Sequence, residues 1–124
     1  MTQPLALVLY EKLLPGTQLV NRLTDLKYRV RALTDAASLP DVARQERPMV
    51  VFADLTSTRE DICALIGKLK SDTQTSHLPV IAIAPESDLQ LQAAARKAGA
   101  ALVVNDSAIL GHLPQLLDQA LQVD

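Results

Sequence analysis

Aromatic residues are nearly absent from this chain. Tyr10, Tyr28 and Phe52 are all it has in 124 residues, and there is no tryptophan. That scarcity excludes the stacked aromatic platforms on which single-stranded nucleic acids are read. No basic run exceeds two residues and the formal net charge is -2, so the cationic footprint of a DNA or RNA binder is missing too, and no nucleic-acid partner is expected. Cys63 is the only cysteine, which excludes an internal disulfide. With His77 and His112 far apart in sequence, no ligand set has the spacing of a zinc site, and a reducing cytoplasm is the expected compartment. No stretch approaches about 18 uninterrupted apolar residues, and Met1-Thr2-Gln3-Pro4 shows no basic region ahead of a long apolar segment. A membrane role and a targeting segment are therefore not expected. Repeats and low-complexity linkers are absent, so residues 1–124 are read as one domain, with 48% apolar residues to supply one core.

What is present is a regular alternation. Five short apolar runs, Leu5 to Leu9, Tyr28 to Leu33, Met49 to Ala53, Val80 to Ala84 and Ala101 to Val104, read as strands. Between them lie helical spacings: Leu19, Leu23 and Leu26; a short Leu39 to Gln45 segment with Pro40 in its first turn; Ile62, Leu65, Ile66 and Leu69; Leu89 and Leu91 leading into Ala93-Ala94-Ala95; and Ile109 through Leu121. Ser57 with Glu60 and Ser87 with Gln90 match the reciprocal capping pattern at two helix starts, and Pro15-Gly16 predicts that the first helix is delayed to about Thr17. Alternating β and α with short right-handed connections gives an α/β doubly wound, five-stranded parallel sheet with helices on both faces, in the flavodoxin-like strand order 2-1-3-4-5. The second strand then lies at an edge, where Lys27, Arg29 and Arg31 alternate with Tyr28, Val30 and Ala32. Such charges discourage unwanted strand pairing; the other reading is recognition of an acidic partner.

In such sheets the chemistry sits beyond the strands' carboxyl ends. The residues there are Tyr10 and Glu11; Asp54, followed by Thr56-Ser57-Thr58; Ala84 and Pro85; and Asn105-Asp106-Ser107. Asp54 closes an apolar run and is the foremost site candidate. Ser57 and Thr58 beside a helix start suit an anion or, more simply, a cap. Asp106 or Ser107 is expected to cap the last helix, whose first turn Gly111 and Pro114 weaken. Cys63 reads as a packing residue, and His77 and His112 as surface residues.

Pro48 through Asp54-Leu55, Lys70-Ser71-Asp72-Thr73 followed by Leu78-Pro79-Val80-Ile81-Ala82, and Lys97-Ala98-Gly99-Ala100 stand at the spacing of receiver domains of bacterial two-component response regulators, which the chain resembles over essentially its whole length. The resemblance makes Asp54 the phosphoacceptor position. It also implies an acidic pair after strand one that joins Asp54 in holding Mg²⁺, a hydroxyl after strand four, an aromatic switch residue in strand five, and a lysine after it. Here those positions carry Tyr10 and Glu11, Ala84, Val103, and Asp106 or, one residue earlier, Asn105. Replacing a lysine by an aspartate turns attraction into repulsion, on the order of 4 kcal/mol for unit charges about 4 Å apart at an effective dielectric near 20, less where exposed.

The expectation is a degenerate pseudo-receiver, not an enzyme, that signals through protein–protein contacts without phosphorylation and needs no cofactor or metal. One alternative is a receiver still phosphorylated on Asp54 with Mg²⁺, for which Glu11, Asp54 and Asp106 are the candidate ligands. A flavodoxin-like small-ligand binder or enzyme is the weaker alternative, since no nucleophile–base pair or glycine-rich phosphate loop supports it. The last helix is apolar over a wide arc, with Ile109, Leu113, Leu116 and Ala120 on one side and Leu110, Leu117 and Leu121 on an adjoining one. The latter three are the candidate interface for a homodimer, a signalling protein or an adjacent domain.

Overall fold

A computed structural model describes residues 4–9, 13–33, 38–55, 62–85 and 87–121, with the side chains of 13–17, 106–107, 110 and 120–121 outside the description. The elements are β1 Leu5–Leu9, α1 Leu13–Asp25, β2 Arg29–Leu33, α2 Leu39–Glu46, β3 Val50–Asp54, α3 Ile62–Ser71, β4 Val80–Ile83, α4 Leu89–Ala98, β5 Leu102–Val104, α5 Asp106–Gly111 and α6 Leu113–Leu121. All five strands pair in parallel in the order β2-β1-β3-β4-β5. The expected doubly wound architecture and strand order are therefore those of the molecule.

The near-continuous apolar runs of β1, β3 and β4 follow from burial on both faces, for every residue of the three is buried. Their alternate residues supply two cores. Leu7, Val51, Ala53, Val80 and Ala82 face Leu39, Ile66 and Leu69 under α2 and α3, while Ala6, Val8, Phe52 and Ile81 face Leu19, Leu23, Ile109 and Leu113 under α1, α5 and α6. Cys63 packs half-buried against the first core, and His77 and His112 are exposed. β2 is the edge strand, and its exposed Arg31 pairs with Glu46 at 2.8 Å. A pair this exposed contributes about 0–1 kcal/mol.

Several predicted boundaries shift. α1 begins at Leu13 rather than near Thr17, because Pro15 falls in the first helical turn, where an N–H has no intrahelical acceptor to lose. The fourth helix is capped by Asp88, whose Oδ1 accepts from the Leu91 N–H at 3.0 Å, and not by Ser87. Ser57 and Glu60 lie outside the described residues. The single last helix becomes two. Pro114 has no N–H to give the Leu110 carbonyl and its ring would collide with it, so α5 closes with the His112 N–H on the Ala108 carbonyl at 2.9 Å, and α6 starts afresh.

α1 ends in a left-handed residue, Lys27 (φ 72), with the Tyr28 N–H returning to the Leu23 carbonyl at 3.0 Å. A side chain in this region costs about 1–2 kcal/mol, more than glycine's extra backbone entropy. Lys27→Gly is therefore expected to stabilise the fold by about 0.5–1 kcal/mol, seen as a higher urea midpoint with an unchanged slope.

Candidate functional site at the strand carboxyl ends

Asp54 ends β3 in register with Ile83 of β4, and Ile83 is in register with Val104 of β5. Two backbone bonds fix this stagger: the Leu55 N–H donates to the Ile83 carbonyl at 2.8 Å, and the Ala84 N–H to the Val104 carbonyl at 2.9 Å. The residues following these strands, Ala84 and Asn105, therefore stand at the same end of the sheet as Asp54, one and two strands away from β3. Asp54 is 5% exposed, one of two buried polar residues among those described. A carboxylate so placed is tolerated because it stands at the end of the sheet, where its surroundings change from apolar to polar.

Ala84 is 1% exposed and presents only a methyl group. Val103 packs half-buried against the core under α3 and α4. Asn105 has an extended backbone (φ -88, ψ 165), and its Oδ1 accepts from the Ala108 N–H at 2.7 Å, while its own carbonyl accepts from Ile109 at 3.0 Å. Asn105 is therefore the cap of α5, in place of the expected Asp106 or Ser107. Asp106 is the first helical residue. The cap follows from where the extended strand conformation ends, and asparagine there satisfies a free helix donor as well as either neighbour would. Its place as a cap could have been read from the rank of asparagine at such positions.

Tyr10, Glu11, Thr56, Ser57 and Thr58 lie outside the described residues. The resemblance to receiver domains implies Mg²⁺ held by carboxylates around Asp54. Among the described residues no three His, Cys, Asp or Glu side chains come together in a way that could hold a metal, so these residues alone do not fit the ion.

The candidate interface on the last helix is changed by the packing. Leu117 is 5% exposed and belongs to the core formed with Val8, Leu23, Phe52, Ile109 and Leu113. The reason is its spacing: Ile109, Leu113 and Leu117 are four residues apart and make the stripe that faces the sheet, leaving Leu116 at its half-buried margin. Leu117 is thus a core residue and not a surface anchor. The side chains of Leu110 and Leu121 lie outside the description.

Two groups with perturbed acidity stand away from the strand ends. Burial pushes the Tyr28 phenol above its ordinary range, with the nearby Asp118 carboxylate adding to the effect. Burial lowers the Lys70 ammonium, which donates to the Leu78 carbonyl at 2.6 Å and the Ser76 carbonyl at 3.3 Å.

No family model matches the chain, and no curated protein matches it in sequence. Solved structures do match. A protein assigned as a response regulator in Chloroflexus aurantiacus J-10-fl superposes with a TM-score of 0.89 at 17% identity, over 97% of this chain and 98% of the other. The receiver domain of the sensor histidine kinase PA1611 from Pseudomonas aeruginosa PAO1, whose structure has a magnesium ion coordinated in the active-site cleft, gives 0.86 at 16% identity, over 97% and 98%. The receiver domain of NtrX from Brucella abortus gives 0.82 at 24% identity, over 96% and 99%. The fold is that of response regulator receiver domains. No helix among the described residues is long and apolar enough to cross a membrane.

Proposed function

We propose that this chain is an atypical receiver domain of bacterial signal transduction, a pseudo-receiver that works by protein–protein interaction and not by phosphorylation of Asp54. The observation that carries the reading is Ala84. It is buried at the end of β4, one residue beyond the register partner of Asp54, where the resemblance implies a hydroxyl that bonds the phosphoryl oxygens. A methyl group offers no such bond, and a charge-assisted hydrogen bond is lost with it. The end of β5 supports the same reading. Asn105 is committed to the helix cap and Asp106 follows it, so neither supplies the fixed positive charge that would balance a phosphoryl group. Val103, in place of an aromatic residue, removes the repacking lever as well. Receiver domains act on other proteins, and this chain keeps their fold while lacking these parts of their chemistry.

Acetyl phosphate with Mg²⁺ tests the reading. Intact-mass measurement is expected to find the protein unmodified after an incubation that labels a competent receiver fully, and Asp54→Asn is expected to behave identically. Stoichiometric phosphoryl addition that disappears in Asp54→Asn would overturn the proposal and establish a Mg²⁺-dependent phosphoacceptor.

A further inference from the structure

β2 is the outermost strand of the sheet, beside β1. The Arg29 N–H donates inward to the Pro4 carbonyl at 2.8 Å, and in a parallel ladder alternate residues turn to the same neighbour. Arg29, Arg31 and Leu33 therefore bond towards β1, while Val30 and Ala32 present their backbone N–H and C=O groups outward. The side chains divide by face. Arg31 reaches Glu46 at the end of α2, and Arg29 shares its face by the strand's two-residue period. Tyr28 and Val30 take the opposite face, packed with Val20 against the core under α1. An open groove of about 560 Å³ runs along this edge, lined by Leu5, Val20, Tyr28 and Val30 on its apolar side and by Arg29 and Arg31 on its charged side. Among the described residues that line it, the only carboxylate, Glu46, is already engaged by Arg31. Among the described residues neither Lys27 nor Arg29 has a carboxylate partner.

We propose that β2 accepts a sixth strand, an extended segment of a partner protein in which acidic residues alternate with apolar ones. The alternation of β2 dictates that pattern. A strand laid beside it places every second side chain next to Arg29 and Arg31 and the others over Tyr28 and Val30, so carboxylates meet guanidinium groups while apolar side chains enter the groove. Backbone bonds to Val30 and Ala32 supply affinity, and the two rows of side chains supply selectivity. The same cations repel β2 of a second copy, so the edge is closed to self-pairing and open to an acidic strand. The inference rests on reading the chain as an interaction module, and it does not depend on the fate of Asp54.

A fluorescein-labelled ten-residue peptide of alternating Glu and Val is the probe, titrated into the full chain at low salt and followed by anisotropy, without acetyl phosphate or Mg²⁺. It is expected to bind at least tenfold more tightly than the Lys–Val counterpart, and its affinity is expected to fall as salt is added. Arg29→Glu, an exposed change, should weaken binding at least tenfold. Ala32→Pro, which removes an outward N–H and leaves the ladder to β1 intact, should do the same, with far-UV circular dichroism to check its fold. Amide shift changes should centre on Val30 and Ala32. Equal binding of the two peptides, binding indifferent to Arg29→Glu, or shift changes centred elsewhere would each overturn the proposal. Because phosphoryl transfer plays no part in the titration, these outcomes are separate from the acetyl phosphate result.

Discussion

Leu117→Glu is expected to destabilise the fold by about 3–5 kcal/mol, and to do so more strongly at pH 7 than near pH 4. Leu117 is buried in α6 at the end of the stripe that begins with Ile109 and Leu113, over Val8, Leu23 and Phe52. Removing it from this surface forfeits about 2–3 kcal/mol of apolar burial. Glutamate then brings a carboxyl group among side chains that offer it no hydrogen-bond donors. Such a group is held in its neutral form, so its folded-state pKa lies above the unfolded value of about 4.3. For an acid shifted upwards, the folded state binds more protons, and stability falls as pH rises from the unfolded pKa through the folded one. The extra cost is thus absent below about pH 4 and grows as pH rises towards the folded pKa. Urea unfolding at the two pH values, beside Leu117→Ala as a reference without a titrating group, reads both terms. Near-native stability at pH 7 together with a lower sedimentation coefficient would return Leu117 to an interface, and would contradict the packing seen here.

That residue illustrates how far the sequence could be read. The apolar excess of the last helical segment was visible, yet a wide arc does not say which edge of it meets the sheet. The packing makes the choice, with Ile109, Leu113 and Leu117 on the sheet and Leu116 at the margin. Strands were more legible, because runs such as Val50-Val51-Phe52-Ala53 have no solvent face in a doubly wound sheet and need no side chosen for them. The edge position of β2 was legible for the opposite reason, since its exposed Arg29 and Arg31 could not be buried. Helix starts were read one residue away at two places. Ser87-Asp88 and Asn105-Asp106-Ser107 each offer successive residues able to cap, and the backbone selects the one that is still non-helical, Asp88 and Asn105. Of the candidate site, the position of Asp54 followed from the sheet alone, and so did that of Ala84 at the end of the neighbouring strand. The commitment of Asn105 to a cap required the structure, because it depends on where β5 stops.

Gly99→Ala is expected to cost about 2–4 kcal/mol, through two separable effects. Gly99 closes α4 at φ 117, ψ 12, with its N–H on the Ala95 and Arg96 carbonyls at 3.2 and 3.1 Å and the Ala100 N–H on Ala95 at 3.0 Å. This turn delivers the chain into β5 in register with β4, so the conformation cannot relax without moving the strand. Any L side chain at that φ carries about 1–3 kcal/mol of strain. An added Cβ would also stand 2.6 Å from Lys70 Cγ and 3.3 Å from Lys70 Cβ. Lys70 cannot simply swing away, because its ammonium is tied to the carbonyls of Leu78 and Ser76 and those groups would lose a donor. Lys70→Ala alone should therefore destabilise by about 1 kcal/mol, chiefly through the half-buried Leu78 carbonyl left without this donor. Combined with Gly99→Ala it should recover the steric part while leaving the backbone strain, giving a favourable coupling of about 1 kcal/mol in a double-mutant cycle. Additive effects would assign the whole cost of Gly99→Ala to φ, and a single mutant within about 0.5 kcal/mol of the parent would refute both effects. The loop after α3 and the entry to β5 are thus one packing unit, in which a glycine allows the lysine stem to pass and the lysine ties down the loop that leads into β4.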